Sequence, residues 1–109
     1  MEGTIKILKI CEISQKYRYQ GPRFRELGDV SGQEFREDHL IPWLDSLADN
    51  EPAVIDFEGT RVYMPSFLDE SFVGAIRQNS NNRKKINNIA FKNMDPIWFE
   101  KLWQYIKSA

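Results

Sequence analysis

The chain has 109 residues, 41% hydrophobic and 13% aromatic, with 15 Lys and Arg against 16 Asp and Glu and a formal net charge of −1. That is enough chain for one domain with one core, and its charge supplies no overall field towards nucleic acid or an anionic membrane. No stretch approaches the roughly 20 apolar residues of a bilayer crossing, and the single Cys11 rules out an internal disulfide.

The first residues lack a signal peptide's layout, so the expectation is a cytoplasmic protein. Thr4 to Ile13 alternates, with Ile5, Ile7 and Cys11 on one side and Lys6 and Lys9 among the others. That period predicts a strand with one face better buried than the other. Gln15 to Gly28 carries Tyr17, Tyr19, Arg23, Phe24 and Arg25 around the Gly21–Pro22 turn marker. It reads as a basic, aromatic loop that has room for one short strand, with Phe24 as its anchor in the core.

Ser31–Gly32–Gln33–Glu34 is a capping box, and a helix is expected from Gly32 to about Ala48, using Phe35, Leu40, Trp43, Leu44 and Leu47 as its apolar side. Pro42 removes a donor inside it, which predicts a kink or a restart near Ile41. Ala53–Val54–Ile55–Asp56–Phe57 is a short apolar run ended by a turn signal at Gly59, as expected of a strand buried in a sheet.

A second helix is expected with Ser66 as N-cap, Pro65 before it and Asp69 three residues on, where a negative charge suits the positive helix end. Leu68, Phe72, Ala75 and Ile76 share one face of it. Gln78 to Lys85 reads as a loop, and Ile86, Ile89 and Phe91 as a third strand closed by Asn93. Asp95–Pro96 then starts a last helix on the stripe Phe99, Leu102, Trp103 and Ile106. Strands alternating with helices predict a small α/β domain spanning 1–109, with a mostly parallel or mixed sheet and helices packed on it.

The chemistry-bearing residues gather at one turn. In an α/β sheet the carboxyl edge of the strands is where ligands and partners dock, and there this chain places Tyr63, Pro65, Ser66, Phe67, Asp69 and Glu70. Ser66 serves as a cap, and it is also a candidate phosphorylation site, because a phosphate at a helix amino end is stabilised by free N–H groups. Arg23, Arg25 and Arg36 form a candidate anion site, against which stands pairing with Glu26, Glu34 and Glu37. Asp56, Glu58, Asp69 and Glu70 would have to converge to hold Mg²⁺, and no metal or other cofactor is expected. His39 is a lone histidine, and neither GxxxxGK[ST] nor GxGxxG occurs.

Four ordered motifs carry a family likeness: Gly21–Pro22–Arg23–Phe24–Arg25, Ser31 to Arg36, Val54 to Gly59, and Pro65 to Phe72. Together they resemble the bacterial STAS-like domains of uncharacterised function, which are similar to the STAS domains of anti-sigma factor antagonists. The resemblance implies a small sheet with helices on it. In the antagonists the turn after the central strand carries Asp-Ser-Ser-Gly, and one serine is phosphorylated by a GHKL-type kinase that doubles as the anti-sigma factor. Here Pro65 stands at the aspartate and Phe67 at the second serine, the one usually modified.

The reading is a non-enzymatic regulatory interaction domain. It docks a protein partner, a GHKL-type ATPase by what the resemblance implies, through Pro65–Phe72 and the Gly21–Arg25 loop, with Phe67 as an exposed anchor. A small-molecule or nucleotide-anion binder using Arg23, Arg25 and the helix start at Ser66 is the alternative. A metal-dependent hydrolase using Asp56, Asp69 and Glu70 is the remaining one.

Overall fold

The apolar run after Pro52 forms the central strand of the computed structural model, which describes residues 4–109. Strand β2 (Ala53–Asp56) lies between β1 (Lys6–Lys9) and β3 (Ile89–Lys92), parallel to both. Ile7 lies beside Val54 and Val54 beside Ala90; one residue on, Leu8, Ile55 and Phe91 make the next row. Parallel neighbours in sequence order need crossovers, and the right-handed rule puts both on the same face. The burial agrees. Ile55, Phe57 and Ile89 lie in the core, with Leu8 and Phe91 packed against it, whereas Ile5 and Ile7 on the other face are 53% and 50% exposed.

The first crossover is a composite helix of α2 (Gly32–Phe35), a π-helical stretch Arg36–Leu40 and α3 (Ile41–Asp45). Ser31 Oγ accepts from Glu34 N at 3.0 Å, as the capping box requires. The irregularity expected at Pro42 takes the form of the wide turn just before it, where Ile41 N–H reaches back to Arg36 O. Widening the turn accommodates a residue that cannot donate. The second crossover has the same plan, with α4 (Pro65–Leu68), a π-helical stretch Asp69–Val73 and α5 (Gly74–Gln78). The two composites approach closely at Gly32, where a Cβ would sit 2.7 Å from Phe67 O. Helix α7 (Pro96–Ser108) flanks the second composite; Asp95 caps it through Ile97 N at 2.9 Å.

Several elements depart from the sequence reading. The first strand ends at Lys9, and Ile10–Ile13 is the short helix α1, which turns Ile10 and Cys11 inward. Its better-buried side carries Leu8, not Ile5 and Ile7. The extra strand in the following loop reduces to one parallel bridge, Tyr19 to Val62. That loop is anchored by Tyr17, 1% exposed, while Phe24 is 40% exposed. The first long helix stops at Asp45, short of Ala48. Helix α6 (Asn82–Asn87) occupies the expected 78–85 loop and takes Ile86 out of the third strand. It is tied down by Asn82, whose Nδ2 donates to Ala75 O at 2.9 Å.

Tyr17 also fixes α2, since its hydroxyl donates to Glu34 Oε2 at 2.7 Å. Burial, and then that bond to a carboxylate, push its pKa far above the ordinary 10.0. Above about pH 10 the unfolded chain releases this proton and the folded chain keeps it, so stability falls as pH rises. Urea unfolding between neutral pH and pH about 11 should show that loss, steepening by up to about 1.4 kcal/mol per pH unit from this one group. Tyr17→Phe should flatten the slope. A residual would remain from Tyr63, which burial also shifts upward.

Candidate functional site

The turn from β2 into α4 is built by the loop 58–64 passing over the carboxyl ends of the strands. Asp56 Oδ1 accepts from Glu58 N at 2.8 Å and from Asn93 Nδ2 at 2.9 Å, tying the ends of β2 and β3 together. Gly59 takes φ +94°, a conformation that favours glycine. Arg61 N and Val62 N then both donate to Arg18 O, and Gln20 N donates to Val62 O. Gln20 Oε1 in turn accepts from Met64 N at 2.9 Å. The loop after α1 and the loop after β2 are thus laced into one ledge. Its outer side carries Tyr19, Val62 and Met64, which are 54%, 42% and 38% exposed.

Tyr63 points the other way, half-buried and stacked on Trp98 at 5.7 Å between ring centroids, with its hydroxyl accepting from Asp95 N at 3.2 Å. The helix begins with Pro65 at its first position and Met64 as an N-cap that supplies no side-chain bond. Ser66 is therefore the second residue of the helix and does not cap it. Proline wins this position because its fixed φ suits the first turn and it has no N–H to leave unpaired. Ser66 remains half-buried beside the free N–H groups of the helix start.

Phe67 is 0% exposed and lies against Phe35 at 5.6 Å and Tyr17 at 6.2 Å. It is core, not the exposed anchor expected from the sequence. Asp69 and Glu70 meet the arginines assigned to the other site. Arg23 Nη1 donates to Asp69 Oδ2 at 2.7 Å and reaches Glu70 Oε1 at 3.4 Å, and Arg36 Nη1 pairs with Glu70 Oε2. The Asp69 bond holds the Arg23 guanidinium above its ordinary pKa. Arg25 is paired separately with Glu37 and Asp38 on the surface. The three arginines do not converge on an open pocket. Asp56, Asp69 and Glu70 do not converge on a metal position either; two of them are bound to arginine.

The arrangement is an all-parallel three-stranded sheet with helices on one face and its exposed apolar ledge at the carboxyl edge. That is a small α/β domain of the STAS-like kind. The family model of the STAS-like domain of unknown function (DUF4325) matches residues 31–97, and the chain belongs to that family. The match runs from the capping serine to the start of α7, leaving Arg23, Arg25 and all of β1 outside it. No curated protein and no solved structure matches the chain. Among the described residues, no helix is long and apolar enough to cross a membrane.

The sequence reading missed Tyr19, Val62 and Met64. Their signal was weak: Val62 and Met64 keep a strand's spacing over only two apolar residues, and Tyr19 lies 43 residues before Val62, brought to it by a single bridge and one glutamine.

Proposed function

We propose that this chain is a non-enzymatic interaction domain that docks a protein partner over the turn from β2 into α4. The observation that carries the reading is the ledge of Tyr19, Val62 and Met64. Three large apolar side chains stay exposed on backbone held by the bonds of Tyr19 N, Val62 N, Val62 O and Met64 N. Rigid, contiguous apolar surface beside a helix start is a feature of binding sites. Pro65 continues the ledge, and Ser66 borders it.

The partner class suggested by the family likeness is a GHKL-type ATPase or kinase. Phosphate on Ser66 would add close to two negative charges one turn before Asp69 and Glu70, on the same helix face. It would compete with Asp69 for Arg23 and change the charge that the ledge presents. The acids themselves act from behind the surface, through their arginines.

The test is co-purification from native lysate of wild type, Met64→Asp, Val62→Asp and an Ile7→Thr control on the bare sheet face, with every variant's fold checked by thermal melting. The expected result is a GHKL-type ATPase captured by wild type and the control. Either aspartate should weaken it by about 30-fold or more, as for a central contact residue. Equal capture by all four proteins would remove the ledge from the interface. Mass spectrometry of the captured chain then reports whether Ser66 carries phosphate.

A further inference from the structure

A second feature of the carboxyl edge adjoins the ledge at Arg18. Between the ends of β1 and β2 lies a cavity of about 370 Å³, walled by Cys11, Arg18, Asp56, Glu58 and Gly59. Gly59 forms part of the wall. A Cβ there would lie 3.4 Å from Cys11 Cβ and 3.9 Å from Arg18 Nε.

Arg18 is out of keeping with the other covered arginines. Arg23 and Arg36 bind carboxylates, and Arg83 donates to the carbonyls of Ile106 and Ala109 at the end of α7. Arg18 is half-buried, with its Nε sealed from solvent and without an acceptor, and it makes no ion pair among the described residues. Yet its backbone carbonyl is fixed by Arg61 N and Val62 N. A half-buried guanidinium without a counter-charge leaves its outer N–H groups open to an acceptor that a ligand can supply.

The remaining charges define that ligand. Lys9 and Glu12 at the rim sit 3.6 Å apart and neutralise each other. Asp56 spends both of its bonds on Oδ1, leaving Oδ2 without a described partner, and exposed Glu58 has no ion pair among the described residues. One cation without an ion pair thus lines, together with two carboxylates, a cavity at the small end of ligand-site sizes. A bare phosphate would meet the two acids as repulsion.

We propose that this cavity binds a small zwitterion of the α-amino-acid class, its carboxylate on Arg18 and its ammonium on Asp56 and Glu58. The amide spectrum of the full chain, titrated with single L-amino acids and, separately, with acetate, methylamine and inorganic phosphate, tests it. The expected result is saturable shifts at Cys11, Arg18, Glu58 and Gly59 with at least one amino acid, about tenfold tighter than any singly functional probe. Arg18→Gln should weaken that binding by about tenfold or more, the scale of one charge-assisted contact. Glu58→Gln, on an exposed side chain, should weaken it several-fold with the fold intact, and decides the matter alone if Arg18→Gln does not fold. Saturable phosphate binding tighter than any amino acid, unchanged binding in Glu58→Gln, or no saturable shift by any amino acid would overturn the assignment.

Discussion

Phe67→Ala should lower the stability of the folded chain by about 4 kcal/mol, the scale for removing a fully buried aromatic ring. The ring is 0% exposed and sits in an aromatic layer with Tyr17, Phe35 and Phe72, joining the second composite helix to the first. Removing it leaves a cavity at the point where Gly32 and Phe67 bring the two backbones together, and there is little freedom to collapse around it. Urea unfolding at neutral pH measures the loss; a change under about 1.5 kcal/mol would mean that the layer repacks. The consequence for function is practical. A binding defect in Phe67→Ala would report unfolding, whereas Val62→Asp and Met64→Asp change side chains outside the core cluster, the second at a helix N-cap that an aspartate suits.

The sequence was most legible where a structure is set by neighbours a few residues apart. Ser31 caps Glu34 and Asp95 caps Ile97 because each bond closes within one turn, and the residue types alone state the requirement. The β2 run was legible because burial on both faces leaves a continuous apolar stretch. Legibility failed where a wider surrounding decides. The second composite helix is enclosed by the first composite, the sheet and α7, so its buried arc takes in Phe67 as well as Leu68 and Phe72, a width that no periodicity announces. Ile10–Ile13 reads as strand by its residues but becomes helix because the sheet ends at Lys9 and Ile10 must turn into the core. Helix α6 has two buried residues, Asn82 and Ile86, and therefore no apolar stripe to detect. The acidic and basic candidates were each found, but their pairing spans 46 residues for Arg23 with Asp69 and 34 for Arg36 with Glu70. Sequence spacing holds no trace of such partners.

That pairing sets the second large effect. Glu70→Ala should cost about 3 kcal/mol, because it takes from Arg36 its covered carboxylate partner and from Arg23 the more distant of its two. Arg36 and Glu70 side chains are only 13% and 12% exposed, and Arg36 Nε already lacks an acceptor among the described residues. Arg36 would keep the Glu70 carbonyl on Nη1 at 3.1 Å and the half-exposed Glu37 carboxylate 3.5 Å from Nη2, and Arg23 would keep Asp69. A covered charge that loses its partner is far more damaging than a pair that was never there. Replacing Arg36 by Met in the Glu70→Ala background should therefore recover about 1–2 kcal/mol, a coupling that marks the two residues as one unit. Arg25→Ala supplies the contrast. Its pairs with Glu37 and Asp38 are about half exposed, and breaking them should cost less than about 1 kcal/mol and fade with added salt. If the Glu70→Ala loss were equally small and equally salt-sensitive, the clamp between the two π-helical stretches would be surface decoration. If it is large and insensitive to salt, Asp69 and Glu70 hold the helix that presents Ser66. A phosphate on Ser66 drawing Arg23 away from Asp69 would then be felt in the mechanical link between the two crossovers as well as at the surface.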